Sequence, residues 1–427
     1  MFLRFGADAF SWLFFALVSF MWIVVGIFAI KYSDHLDHKK RFFTFYILTY
    51  VMLGLLCFSQ SYLSMYLSFE MMTLCSMPLV LHDGRKESID AAKKYLFYSI
   101  FGATLGLLGM FFAANYASVY FVQGGALSSS AKGHESAILI AIFLTIVGFG
   151  AKAGLFPLHS WLPAAHPQAP GPASAVLSGV ITKAGVLCII RVIFYIYGPE
   201  IIRGTWVQYT LLGLAMLTIF MGSLMAYNQK HLKRRLAYST VSQVSYILFG
   251  IFTLNSVAMT GSLLHIIYHS VIKNLLFLVA AELMFKYDIH NVDEIEGMGR
   301  KMPITFGCFT VASLGLVGVP PFAGFLSKWY IATGSLLENI PVIKWLGPAV
   351  LLASALMTAA YLLSICIKAF FPRKEILLEL NEKIPGKGEA PVAMLFPVIL
   401  LGCLVVILGI FAKPWADLFF DIAGGLF

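Results

Sequence analysis

Hydrophobic residues fill long blocks of this chain, and polar and charged residues collect in the short intervals between them. A helix needs roughly 20 residues to cross about 30 Å of hydrocarbon. About twelve blocks reach that length, near 8–30, 42–59, 62–81, 95–120, 135–157, 172–196, 206–226, 237–254, 259–284, 302–337, 347–370 and 391–412. Only helices and closed barrels satisfy their backbone in lipid, so the blocks predict an all-α polytopic membrane protein of about twelve transmembrane helices. The first block is too long for a signal-peptide core, lacks a small-residue cleavage pattern and is followed by Lys39, Lys40 and Arg41, which marks it as a retained anchor.

Positive charge tests the count, because it gathers in cytoplasmic loops. Lys31, Lys39, Lys40 and Arg41 follow block one; Arg85, Lys86, Lys93 and Lys94 follow block three; Lys230, Lys233, Arg234 and Arg235 follow block seven. Lys286, Arg300 and Lys301 follow block nine, and Arg373, Lys374, Lys383 and Lys387 follow block eleven. The even loops and the termini hold only Arg4, Lys132, Arg203, Lys344 and Lys413. Odd-numbered loops are therefore predicted to be cytoplasmic, with both termini outside the cell (inner) membrane. No loop is long enough to fold as a catalytic domain, so the chemistry is expected within the membrane.

Composition agrees. The chain has 427 residues, of which 59% are hydrophobic and 12% charged, with a mean hydropathy of +0.85. Soluble domains carry about a quarter charged residues, and one or two such domains could not hide this much apolar surface. Cys57, Cys75, Cys188, Cys308, Cys366 and Cys403 lie in or beside apolar runs without metal-ligand spacing, so neither an iron–sulfur cluster nor a zinc site is expected. The net charge of +9 reads as topology, with no nucleic-acid partner.

Four lysines fall inside blocks: Lys152, Lys183, Lys273 and Lys328. Each costs about 3 kcal/mol at the bilayer centre, on the order of 12 kcal/mol together, comparable to the stability of an ordinary domain. Glu70 is the one acid near a block centre and cannot neutralise four ammonium groups, which points to proton carriers. Arg191 and Lys368 lie near block ends, where snorkelling accounts for them. Glu282 reads as interfacial. His265, His269 and Lys273 recur every four residues and share one helical face, the arrangement of a proton relay. Tyr238, Ser239, Thr240, Ser242, Gln243 and Ser245 add groups that could order water, although hydroxyls also bond their own helix.

Two blocks are interrupted, one at Gly154-Leu155-Phe156-Pro157 and one at Gly318-Val319-Pro320-Pro321-Phe322-Ala323-Gly324, each beside a lysine. Broken helices at membrane depth line protein or water, and paired breaks mark ion sites in transporters. The broken helix is the fourth of five in blocks two to six and again in blocks seven to eleven, and an odd number of helices inverts the second copy. The expected organisation is an anchor helix (1–41), two inverted five-helix channel units (42–196 and 197–371) and a C-terminal helix (372–427).

These residues carry a resemblance. The run Lys152-Ala153-Gly154-Leu155-Phe156-Pro157-Leu158-His159-Ser160-Trp161-Leu162-Pro163-Ala164-Ala165-His166 continues through Ala169-Pro170 to Leu177-Ser178-Gly179 and Thr182-Lys183-Ala184-Gly185. With Phe69-Glu70-Met71-Met72, Lys233 to Gln243 and Gly318 to Lys328, it resembles the antiporter-like subunits of respiratory complex I, membrane-bound hydrogenases and multisubunit cation/proton antiporters. The resemblance implies ion translocation driven by redox chemistry elsewhere, with no flavin, cluster or quinone site in this subunit. It implies that Glu70 modulates Lys152, that Lys183 bridges to His265, His269 and Lys273, and that Lys328 ends the second half-channel. Pro157, Pro320 and Pro321 would mark the helix breaks. Such subunits have about fourteen spans, and Asp8-Ala9-Phe10-Ser11-Trp12 resembles the start of their third, so two N-terminal helices and a lateral helix are expected to be absent and replaced by a separate chain.

The leading expectation is a non-redox, proton-translocating subunit of a redox-driven hetero-oligomeric membrane complex. The alternative is a subunit of a multisubunit sodium/proton antiporter without redox chemistry. The spans offer no carboxylate pair for sodium, which favours protons. A small-molecule transporter fits the lysine array poorly.

Overall fold

The computed structural model describes residues 2–338, 341–383 and 388–427. Lys387 and the side chain of Lys383, counted above among the loop cations, lie outside the described residues. The hydrophobic blocks are helices: α1 (Ala9–Tyr32), α2 (Lys39–Cys57), α3 (Tyr62–Val80), α4 (Lys86–Tyr116), the broken pair α5 (Glu135–Ala153) and α6 (Leu162–Gln168), and α7 (Gly171–Tyr197). Then come α8 (Trp206–Tyr227), α9 (Leu232–Phe252), α10 (Ser256–Tyr287), the second broken pair α11 (Pro303–Val317) and α12 (Phe325–Leu336), and α13 (Pro341–Phe370). Short α14 (Lys374–Lys383), α15 (Val392–Ile410) and amphipathic α16 (Ala412–Gly424) finish the chain. Among the described residues, ten helices are long and apolar enough to cross a membrane. The polar α9 and the α11–α12 pair, which length and hydropathy pass over, supply the remaining two of the twelve crossings expected.

The ends of these helices follow local chemistry. The Asp8 carboxylate accepts from Ser11 N at 2.8 Å, Ser61 and Ser64 form a capping box, and the Asn255 side chain accepts from Ala258 N. Gly154 (φ 86°) and Gly318 (φ 92°) close α5 and α11 in the left-handed conformation that glycine adopts without a Cβ clash. The clearest boundary difference is α4, which begins nine residues before its apolar block. Lys86 to Lys94 form a polar extension that hydropathy cannot see.

The connections collect at two ends. At one, His82 meets Asp37 O, Leu232 N donates to His290 O, Phe285 stacks on His35 and Arg373 pairs with Glu296. These are the Lys/Arg-rich loops, and this end is the basic face. At the other, Phe5 bridges Ser59, Ser61 bridges Tyr120, Gly124 N donates to Phe194 O and Gln123 donates to Gly425 O. Both chain ends lie there. The first unit enters from the basic face with α2, and the second enters from the opposite face with α8, which is the inverted relation expected. Helices α7, α9 and α10 are buried along nearly their whole length and form the axis, while α2, α4 and α13 turn Ile47, Phe97, Leu352 and similar residues outward.

Candidate functional site

Each of the four interior lysines is buried or nearly so, and each is held differently. Lys152, in the last turn of α5, donates to Thr73 Oγ1 (2.9 Å), Tyr95 Oη (2.5 Å) and Ser99 Oγ (3.3 Å). Its ammonium also lies 4.2 Å from the centre of the Tyr95 ring, a cation–π contact. Glu70 is half-buried on α3, three residues before Thr73 and so on the same helical face, yet it makes no ion pair with Lys152. The arrangement is that of a loosened acid–base pair.

Lys183 follows a π-helical turn at Leu177–Ile181. Such turns widen a helix and recur at functional sites. The Ser178 carbonyl of that turn accepts from Lys183 Nζ at 2.7 Å, while Nζ meets His269 Nδ1 at 2.6 Å. An amine facing an imidazole nitrogen can leave the proton on either side. The His269 ring lies 6.0 Å from that of His265, whose Nδ1 meets Ser327 Oγ at 2.9 Å. Ser327 neighbours Lys328, and Tyr246 stacks on His265 at 5.7 Å while lying 5.1 Å beneath the Lys328 ammonium. Lys183, His269, His265 and Lys328 thus form one buried sequence of groups across α7, α10 and α12. Lys273, one turn further along α10, donates to Leu236 O (3.0 Å) and Ser239 Oγ of α9.

Lys328 lies after its helix break and Lys152 before its own, but the ammonium groups take matching places. Lys328 Nζ reaches back to Leu316 O (2.5 Å) and Val317 O (3.0 Å), the last carbonyls of α11. Both cations therefore sit at the C-terminal end of the first half of a broken helix, where unpaired carbonyls and the helix dipole favour positive charge. The Phe156–Pro157 and Pro320–Pro321 peptides are cis.

Residues 59–367 match the family described as NADH:quinone oxidoreductase/Mrp antiporter, TM. This chain belongs to that family. It is 32% identical over 406 residues to NADH-quinone oxidoreductase subunit N of Desulforudis audaxviator, covering 92% of this chain and 79% of that one. It is 27% identical over 409 residues to an Na(+)/H(+) antiporter subunit of Alkalihalophilus pseudofirmus, covering 96% and 80%. Its fold superposes on a chain of the Mrp complex from Dietzia sp. with a TM-score of 0.87 at 19% identity, covering 99% of this chain and 84% of that one. The antiporter-family fold and the twin broken helices expected from the sequence are those observed.

Three sequence expectations change. Arg191 does not snorkel: Asp8, just before α1, comes to it with contacts of 2.5 and 2.9 Å, and the guanidinium lies 4.5 Å from the Tyr195 ring. Lys368 does reach the surface, 3.0 Å from Asp293. Glu282 is buried and not interfacial, because α10 stays covered to its end by α11 and the segment before α15; Thr305 Oγ1 lies 2.9 Å from one carboxyl oxygen, and the other has no partner among the described residues. Lys233, counted as a loop cation, is buried and donates to Ala169 O at 2.9 Å, since α6 ends against the first turn of α9.

Proposed function

We propose that this chain is the proton-translocating subunit of a redox-driven membrane complex of the complex I or membrane-bound hydrogenase type, lying in the cell (inner) membrane with both termini outside. The contact that carries the reading is Lys183 Nζ to His269 Nδ1 at 2.6 Å, where the two channel units meet. Protons pass Lys152 and Lys183, cross the His265/His269/Lys273 face of α10 and leave near Lys328. Glu70 acts on Lys152: drawn together the pair keeps its proton, and apart it releases it. The chain holds no cofactor of its own, and the redox module and the other membrane subunits are separate chains.

Replacing Lys152 or Lys328 with Ala should abolish pumping, measured in membrane vesicles, while leaving assembly largely intact. Full pumping by either variant contradicts the assignment. The similarity to an Na(+)/H(+) antiporter subunit favours a second reading, an assembly without redox chemistry. Amines and imidazoles carry protons and do not ligate sodium as clustered oxygens do, so either assembly would use this subunit for protons. Iron with nickel, or flavin, copurifying with the native complex supports the redox-driven reading, and their absence supports the antiporter.

A further inference from the structure

A cleft of about 280 Å³ opens on the basic face where the end of α6 meets the start of α9 and the end of α10. Asp83 and Asp288 line it, together with His35, His290 and Gln168, and Lys233 and Ala169 also border it. Carboxylates at a mouth raise the local concentration of cations, protons included. Of the cations bordering the cleft among the described residues, Lys233 is the buried one. Its ammonium donates to Ala169 O, three residues past His166, and the Ser174 hydroxyl bonds both the His166 and the Ala169 carbonyls.

His166 lies one layer deeper. It is fully buried, and neither ring nitrogen has a hydrogen-bond partner among the described residues. A buried polar group left so is costly and calls for an explanation. Its ring stacks on Phe277 at 4.6 Å, and Phe277 is one turn of α10 from Lys273. Lys233 is likewise one turn of α9 from Leu236, whose carbonyl accepts from Lys273. Three titratable side chains therefore descend from the cleft toward the middle of the bundle, on a side away from Lys152.

Resting on the translocation reading above, we propose that this cleft is a proton-uptake mouth serving the central relay directly, with Lys233 as the first acceptor and His166 as the carrier to Lys273. One proton moves from cleft water to the Lys233 amine, from there to the His166 imidazole and then to the Lys273 amine. Each carrier regains its starting form as it passes the proton on, and no electrons move. The two halves of the protein can then be supplied independently, one past Lys152 and one here.

The test uses the native complex in inside-out vesicles with a pH-sensitive dye. His166→Phe keeps the aromatic stack, Lys233→Met removes the acceptor, and Lys273→Met serves as the reference. The proposal expects proton uptake to fall at least tenfold in both His166→Phe and Lys233→Met. His166→Phe pumping within twofold of the natural protein while Lys273→Met is inactive overturns this route and leaves the translocation reading standing. Full pumping by Lys273→Met overturns the reading itself. If His166→Phe fails to assemble, Gln168→Cys decides on assembled complex, before and after a bulky thiol reagent. Uptake that is blocked by the reagent and restored by dithiothreitol supports the mouth, and uptake indifferent to the reagent overturns it.

Discussion

A cation inside a helical bundle must find partners among oxygens, nitrogens or aromatic faces, and each one here does so differently. Lys152 uses hydroxyls, Lys183 an imidazole, Lys273 a hydroxyl and a carbonyl, Lys328 two helix-terminal carbonyls. The cations are legible in the sequence because charge in an apolar block stands out. Their partners Tyr95, Ser178, Ser239 and Leu316 are not, because each belongs to a residue type or backbone group common in helices and is brought in by the fold. Arg191 is the sharpest case, since its partner Asp8 lies 183 residues away. Burial pushes the Asp8 carboxyl up, but the hydrogen bonds and charge of Arg191, with help from Ser11, hold it at about 2 against an ordinary 3.8. A depressed carboxyl contributes stability that is present above 3.8 and is lost as pH falls through 2. Asp8→Asn should therefore cost up to about 3 kcal/mol near neutral pH by leaving Arg191 buried and unpaired, and the difference from the natural protein should shrink on acidification. Thermal unfolding of the detergent-purified protein across pH would check this; a gap that does not narrow in acid would count against the pair.

At the scale of elements, apolar blocks locate the helices well because hydrophobic length fixes a crossing, whereas breaks and irregular turns depend on tertiary partners. The proline-rich breaks are legible from composition. The π turn at Leu177–Ile181 is not, for nothing in Leu-Ser-Gly-Val-Ile separates it from an ordinary α turn. Close approach of α5 and α7 depends on Gly185, where a Cβ would come within 2.9 Å of Ala153 N and 3.1 Å of Lys152 Cβ. Gly185→Val should force the two lysine-bearing helices apart, costing about 1–3 kcal/mol. Its expected signature is loss of pumping beyond the loss of assembled complex, read as pumping per assembled complex in vesicles. Unchanged specific pumping would show that the spacing is not needed.

Across the whole molecule, the loop charges by themselves tell the two faces apart, because positive residues are consistently placed in alternate loops. The observed loop clusters and the two chain ends on one face follow the same division. The orientation reading predicts that alkaline phosphatase fused after Phe427 is active in intact cells and that a fusion in the loop at 228–231 is inactive; the reverse pattern would contradict it. The central claim concerns how the two inverted units are joined. Lys183→Met removes the amine that meets His269 while keeping the length of the side chain. Proton release by the assembled complex carrying this substitution, measured in vesicles against the natural complex, tests the claim most directly. A fall of at least tenfold is the result expected, and release at the natural rate would mean that protons do not cross between the units by this contact.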